Sequence, residues 1–370
     1  MATDSALMHQ RQTTVREVVG RLSLLDRFLP VWILLAMALG LGLGAWVPGL
    51  PKLLDRLSVG TVSLPIALGL LWMMYPVLAR VKYEELRHIG GAWRLFGVSL
   101  LLNWVVGPIL MFGLAWLFLP DHPDYRTGLI LVGLARCIAM VMIWNHLAGG
   151  SNEHAAVLVA LNSVFQVATY ALYAYLFLAV FPVWLGLGAA QDVAIGFGEV
   201  ATSVLVFLGI PLAAGVISRF VGIRAKGREW YDGVAMPRIA PLALIALLFT
   251  IVFMFALQGK TILAQPRDVL RVALPLAVYF AIMFGVAFWW GWRAGFPYDQ
   301  TTTLAFTAAG NNFELAIAVA VGIFGITSGQ ALAAVIGPLI EVPVLVGLVY
   351  LSLWLRDRWF GPSPEPVGAS

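Results

Sequence analysis

Long apolar runs separated by short polar stretches set the pattern of this chain. A helix needs about 20 apolar residues to cross a hydrocarbon core, and ten such runs occur: 28–48, 61–81, 94–119, 127–148, 155–182, 199–221, 239–258, 269–292, 301–325 and 331–355. None alternates apolar and polar positions as a barrel strand does. Backbone groups in lipid must be satisfied within the segment, so each run is expected to be a helix. The expected fold class is an all-α polytopic membrane protein.

Composition supports that class. Hydrophobic residues make up 61% of the chain and charged residues 11%, with a mean hydropathy of +0.90. A soluble domain carries about 25% charge, so the lipid bilayer is the expected solvent. The net charge of +4 does not point to nucleic acid, because the Lys and Arg residues lie in short segments between spans, where they orient helices. With the amino terminus inside, 16 of them fall on the cytoplasmic side, 6 fall outside, and Arg136 lies within a span. That asymmetry places both termini in the cytoplasm of a multi-pass plasma (inner) membrane protein. The expected layout is a cytoplasmic lead-in at 1–27, a first five-helix repeat at 28–182, a connecting region at 183–238 that includes helix 6 and a cytoplasmic loop, a second five-helix repeat at 199–355, and a cytoplasmic tail at 356–370.

The polar stretch GIRAKGREWYDGVAMPR (222–238) separates two halves of five spans. Five spans reverse the orientation of the second half, which is the signature of an inverted repeat. AAVLVAL (155–161) matches AAVIGPL (333–339) at four of seven positions, an offset of 178. Carried through, that offset sets Arg136 opposite Glu314 and Ser163 opposite Glu341.

Candidate chemistry gathers in spans four, five, nine and ten. A charge at membrane depth costs roughly 2.5–3.5 kcal/mol on insertion scales, so Arg136 must face protein, water or a counter-ion. Beside it is Cys137, the sole cysteine. A lone cysteine is ordinarily a small buried hydrophobe, but an adjacent cation favours the thiolate, and thiolates are soft ligands. In span nine, Gly310-Asn311-Asn312 interrupts an apolar run just before Glu314, through poor helix propensity and competition for backbone bonds. A broken helix is expected there, with Arg136 and Glu314 as an intramembrane pair. Asn162, Gln166 and Tyr170 share one face of span five and, with Ser163, are candidates to line a cavity. Glu341 lies between Pro338 and Pro343, which lack amide donors, and joins Glu314 as a proton-coupling candidate. Asn103 is expected to bond between helices.

Other chemistries are declined. GLGLG at 40–44 resembles a dinucleotide loop but lies inside span one, where close helix packing explains it. There is no HExxH or P-loop, and the five histidines show no ligand spacing, so no metal and no cofactor are expected.

LARCIAMVMIWNHLAGGSNEHAAVLVALNSVFQV (134–167) and FTAAGNNFELAIAVAVGIFGITSGQALAAVIGPLIEVPVLV (306–346) resemble the arsenite-efflux permeases of the bile acid/arsenite/riboflavin transporter superfamily. The resemblance implies ten transmembrane helices in two inverted five-helix repeats. Helices 1, 2, 6 and 7 would form a panel; 3–5 and 8–10 would form a core in which broken helices 4 and 9 cross. It also implies that Cys137 and Glu314 are the residues most needed for transport. The loop LAGGS at 147–151 departs from the charged loop common in the family, which bears on access at the cytoplasmic mouth.

The expected function is export of arsenite, with antimonite an open second cargo, in exchange for protons. Cys137 would contact the metalloid, Glu314 would exchange protons for cargo, Arg136 would balance charge, and Asn311 and Asn312 would supply polar contacts. A sodium-coupled importer of an organic anion on the same fold is the nearest alternative. A transport-dead sensor and an intramembrane hydrolase are disfavoured by the short tails and by the lack of a nucleophile–base pairing.

Overall fold

The computed structural model describes residues 28–47, 49–50, 57–59, 62–187, 196–264 and 266–360. The lead-in at 1–27, the middle of the 183–198 connection and the tail beyond 360 lie outside the described residues. Among the described residues the regular structure is helical apart from a two-stranded antiparallel hairpin, Ser58–Val59 with Val62–Ser63. The helices are α1 (Leu29–Trp46), α2 (Leu64–Ala79), α3 (Trp93–Phe118), α4 (Pro123–Leu134), α5 (Met140–Leu147) and α6 (Asn152–Trp184). They continue with α7 (Phe197–Lys226), α8 (Met236–Ala264), α9 (Pro266–Arg293), α10 (Tyr298–Ala309), α11 (Phe313–Phe324) and α12 (Gly329–Leu355). Six helices among the described residues are long and apolar enough to cross a membrane, and three shorter apolar helices accompany them.

Prolines write local geometry into the long helices. Among the described residues five turns shift from i→i−4 to i→i−5 hydrogen bonding, at Leu102–Val106, Leu176–Val180, Leu205–Gly209, Tyr231–Ala235 and Arg356–Phe360. Each ends two residues before a proline in the sequence: Pro108, Pro182, Pro211, Pro237 and Pro362. A proline offers no amide to the preceding turn and its ring crowds the carbonyl four residues back. Widening the turn relieves both faults without ending the helix.

α8 packs along both α1 and α2, and α7 packs along α2. The GLGLG stretch makes the first contact possible. A Cβ at Gly44 would collide with the Ala256 carbonyl, and one at Gly40 with the Val252 carbonyl and the Phe255 Cβ. A second group forms around α12, which packs against α4, α9 and α11.

The polar stretch 222–238, expected as a loop, is almost entirely helical. α7 runs to Lys226, Gly227 turns the chain with φ 85°, and helix resumes at Arg228. The corner is charged yet compensated. Buried Arg219 on α7 bonds Glu84 through Nη2 (2.6 Å) and Nε (3.0 Å), and Asp232 through Nη1 (2.8 Å). Burial works to raise the Glu84 carboxyl, but the Arg219 bond and charge overcome it and hold Glu84 below its usual range.

Candidate functional site

Two interruptions meet back to back. α4 stops at Leu134 and α5 starts at Met140; α10 stops at Ala309 and α11 starts at Phe313. The freed backbone groups satisfy one another, as buried amides and carbonyls must. Cys137 N–H donates to the Gly310 carbonyl at 3.3 Å, and Asn312 N–H donates to the Ala135 carbonyl at 3.1 Å. This short antiparallel pairing sets Arg136 opposite Asn311. Across the breaks Arg136 therefore faces Asn311 and not Glu314, the residue that the offset of 178 sets opposite it.

Side chains finish the seam. Asn311 Nδ2 donates to the Val132 and Ala135 carbonyls at 2.9 and 3.1 Å. Asn312 caps α11 by accepting from Leu315 N–H at 3.0 Å. Cys137 Sγ accepts from Val141 N–H at 3.2 Å and so serves as the cap that Ala139 cannot supply to α5. The sole thiol is only 3% exposed and lies against Gly310. A Cβ at 310 would come within 2.8 Å of the Cys137 Cβ. Gly310→Ala is therefore expected to push the two breaks apart, at the ~1–3 kcal/mol typical of overpacking. A lowered Tm of the purified protein checks it, and an unchanged Tm would show that the seam yields freely.

The polar face of α6 holds the seam from behind. Gln166 Oε1 accepts from Arg136 N–H at 2.9 Å, and Tyr170 O–H donates to the Leu131 carbonyl at 2.8 Å. Asn162 Oδ1 accepts from Trp104 Nε1 at 3.2 Å, and Ser163 O–H donates to the Val159 carbonyl at 2.7 Å. All four are buried, and none lines the cavity described below. Asn103 bonds Ser99, one turn back on its own helix, rather than a neighbouring helix.

The expected Arg136–Glu314 ion pair does not form. The Arg136 guanidinium points to Tyr279 on α9, whose Oη accepts from Nη1 at 2.6 Å. The pair fails because Asn311, not Glu314, faces Arg136 across the seam. Tyr279 lies within an otherwise apolar span, so its hydroxyl was the available sequence signal for a polar partner.

A cavity of about 420 Å³ opens between the α2–α8 layer and the broken helices. Ile138, Ala139 and Met140 wall one side, Phe313 and Pro338 another, and Leu244 and Leu247 face them from α8. Glu314 and Glu341 both line it, near enough to interact electrostatically. Glu341 is 4% exposed and its Oε1 has no hydrogen-bond partner. Arg80, Lys82 and Asp232 complete the lining at the helix ends. Cys137 sits one residue behind the wall at Ile138. The geometry thus brings Glu314 and Glu341 together on one cavity and places Arg136, Cys137, Asn311 and Asn312 in the seam behind it.

Apolar helices around two paired breaks, with carboxyls facing a cavity at the break, have the architecture of a membrane transporter. Residues 67–265 match the Sodium Bile acid symporter family. The chain is 56% identical to the arsenical-resistance protein Acr3 of Corynebacterium glutamicum over 95% of both proteins. It is 31% identical to Acr3 of Alkaliphilus metalliredigens over 90% of this chain and 94% of that protein. An uncharacterised transporter of Synechocystis is 33% identical over 94% of this chain and 92% of its own length. The chain belongs to the arsenical-resistance family of the bile acid/arsenite/riboflavin transporter superfamily. It is a multi-pass membrane transporter and not an enzyme.

Proposed function

We propose that this protein exports arsenite, and antimonite with it, across the plasma membrane in exchange for protons. In this reading ten spans form two inverted five-helix repeats with both termini cytoplasmic, and the cavity opens to the cytoplasm beside Arg80 and Lys82. The observation that carries it is the pair of carboxyls, Glu314 and Glu341, facing one cavity at the break. Two carboxylates in a low-dielectric site cannot both ionise cheaply, so such a pair readily takes up and gives back a proton. Arsenite is largely uncharged at neutral pH and can be held by hydrogen bonds to carboxylates, whereas an organic anion would be repelled by them. Similarity to two arsenical-resistance proteins supports the same cargo.

Cys137 enters when the seam opens. Its sulfur caps α5 and lies directly behind Ile138, so a small shift of the α4–α5 break brings it to the cargo for one reversible contact. Asn311 and Asn312 hold the seam through which that shift occurs, while Asn162, Ser163 and Gln166 brace it.

The test is arsenite accumulation in everted membrane vesicles, with and without a proton gradient, in wild type and Cys137→Ser. Gradient-driven uptake lost in the variant is the expected result. Uptake that survives reduces Cys137 to packing. Uptake of an organic anion driven by sodium, with none of arsenite, would replace this reading by the sodium-coupled one.

A further inference from the structure

The cavity is far larger than the cargo proposed for it. Arsenite is one arsenic atom carrying three hydroxyls, whereas about 420 Å³ is open between the α2–α8 layer and the breaks. Pockets of ~300–1,000 Å³ enclose drug-sized molecules. The lining is also mismatched to a solute that is polar all round. Its charged residues are Arg80, Lys82 and Asp232 at the helix ends and Glu314 and Glu341 at the break. Every other lining side chain among the described residues is apolar, with no hydroxyl and no amide. Met140, Met142, Ile143 and Leu244 on this wall are partly exposed. Arsenite seated at the two carboxyls would leave that apolar surface against water, which is unfavourable.

The polar and apolar parts of the lining divide in a way that suits a larger member of the same chemical class. Replacing one hydroxyl of arsenite by an organic group leaves the arsenic trivalent and two hydroxyls in place, one for each carboxyl. The organic group then lies against the apolar wall. That wall can adapt to its shape. Met140 and Met142 on α5 and Met236 at the start of α8 bring three thioether side chains to it. Methionine is unbranched with three rotatable bonds, and surfaces rich in it repack around groups of different shape. Such a molecule is uncharged, as arsenite is, so the carboxyls do not repel it.

We propose that the cavity accepts and exports trivalent arsenicals bearing one apolar organic group, R–As(OH)2, beside arsenite itself. The proposal rests on the arsenite-export reading above and extends it to the part of the cavity that arsenite leaves unfilled.

The test uses the full-length protein in liposomes, with arsenite uptake driven by a proton gradient and phenylarsenous acid as the competitor. Cys137 is the sole thiol of the chain, so no second cysteine can trap the competitor. Burial of the phenyl ring is expected to set the midpoint of inhibition about tenfold below the KM of arsenite. Ala243→Phe narrows the cavity from α8 and should weaken the phenyl compound about tenfold, with a much smaller shift in the KM of arsenite. Leu244→Ala removes apolar wall without adding bulk and should weaken the phenyl compound several-fold more than arsenite. That variant decides the matter if Ala243→Phe does not fold. Cells making the protein should also retain several-fold less phenylarsenous acid than cells without it. If arsenite is taken up but phenylarsenous acid does not compete, this proposal falls and arsenite export stands. Competition without efflux makes the compound an inhibitor and overturns the proposal, as do equal shifts for both compounds in both variants. If arsenite itself is not taken up, the export reading fails and this proposal fails with it.

Discussion

Glu314→Gln is expected to abolish gradient-driven arsenite accumulation in everted vesicles, down to the level of vesicles without the protein. Glu341→Gln is expected to do the same. Both carboxyls line one cavity and lie within electrostatic range of each other. Glutamine keeps the volume and the acceptor oxygen but cannot carry a proton at any relevant pH. The fold loses little, because Glu341 Oε1 has no hydrogen bond to forfeit and Glu314 forms no ion pair with Arg136. Both variants should therefore reach the membrane in wild-type amounts, which immunoblotting of the same vesicles checks. Retained proton-driven uptake in Glu314→Gln would remove the proposed proton carrier. Loss in Glu314→Gln alone would make Glu341 a bystander in proton coupling.

Gly44→Leu is expected to prevent folding, and Gly42→Leu two residues away to be tolerated. At Gly44 the obstruction is the Ala256 backbone, which has no rotamer to yield. Overpacking a site that can adjust costs about 1–3 kcal/mol, and a backbone-to-backbone contact cannot adjust. α8 also carries the packing of α2, so separating α1 from α8 disturbs the whole layer. Gly42 has only the Trp46 ring nearby, at 3.6 Å, an ordinary van der Waals distance. Detergent-solubilised variants compared by size-exclusion chromatography give the readout. A monodisperse Gly44→Leu protein in wild-type yield would show that the GLGLG face is not the contact that sets α1.

The sequence located the break in span nine through Gly310, Asn311 and Asn312, because those residue types weaken a helix wherever they stand. It offered no comparable signal at Ala135–Ala139, where only family resemblance pointed to a break. Nothing in ARCIA disfavours a helix; the interruption there is stabilised by the partner strand from Gly310 to Asn312 and by Gln166. Carrying the offset of seven similar residues as far as the breaks sets Arg136 opposite Glu314, three positions from Asn311, with which it pairs. Apolar matches between helices carry little information about alignment, whereas paired breaks are aligned by their hydrogen bonds.

What the sequence determined by itself was the membrane class and the helical character of its apolar runs. Those follow from the cost of exposing charge and backbone to lipid, which acts on each segment alone. Only the tertiary structure decided which polar residues face which. It turned Arg136 away from Glu314 toward Tyr279, drew Glu314 and Glu341 onto one cavity, and set Gln166 and Cys137 to hold the seam. Side-chain direction at a broken helix depends on φ and ψ at a few residues, and those angles are set by the opposing break rather than by local propensity.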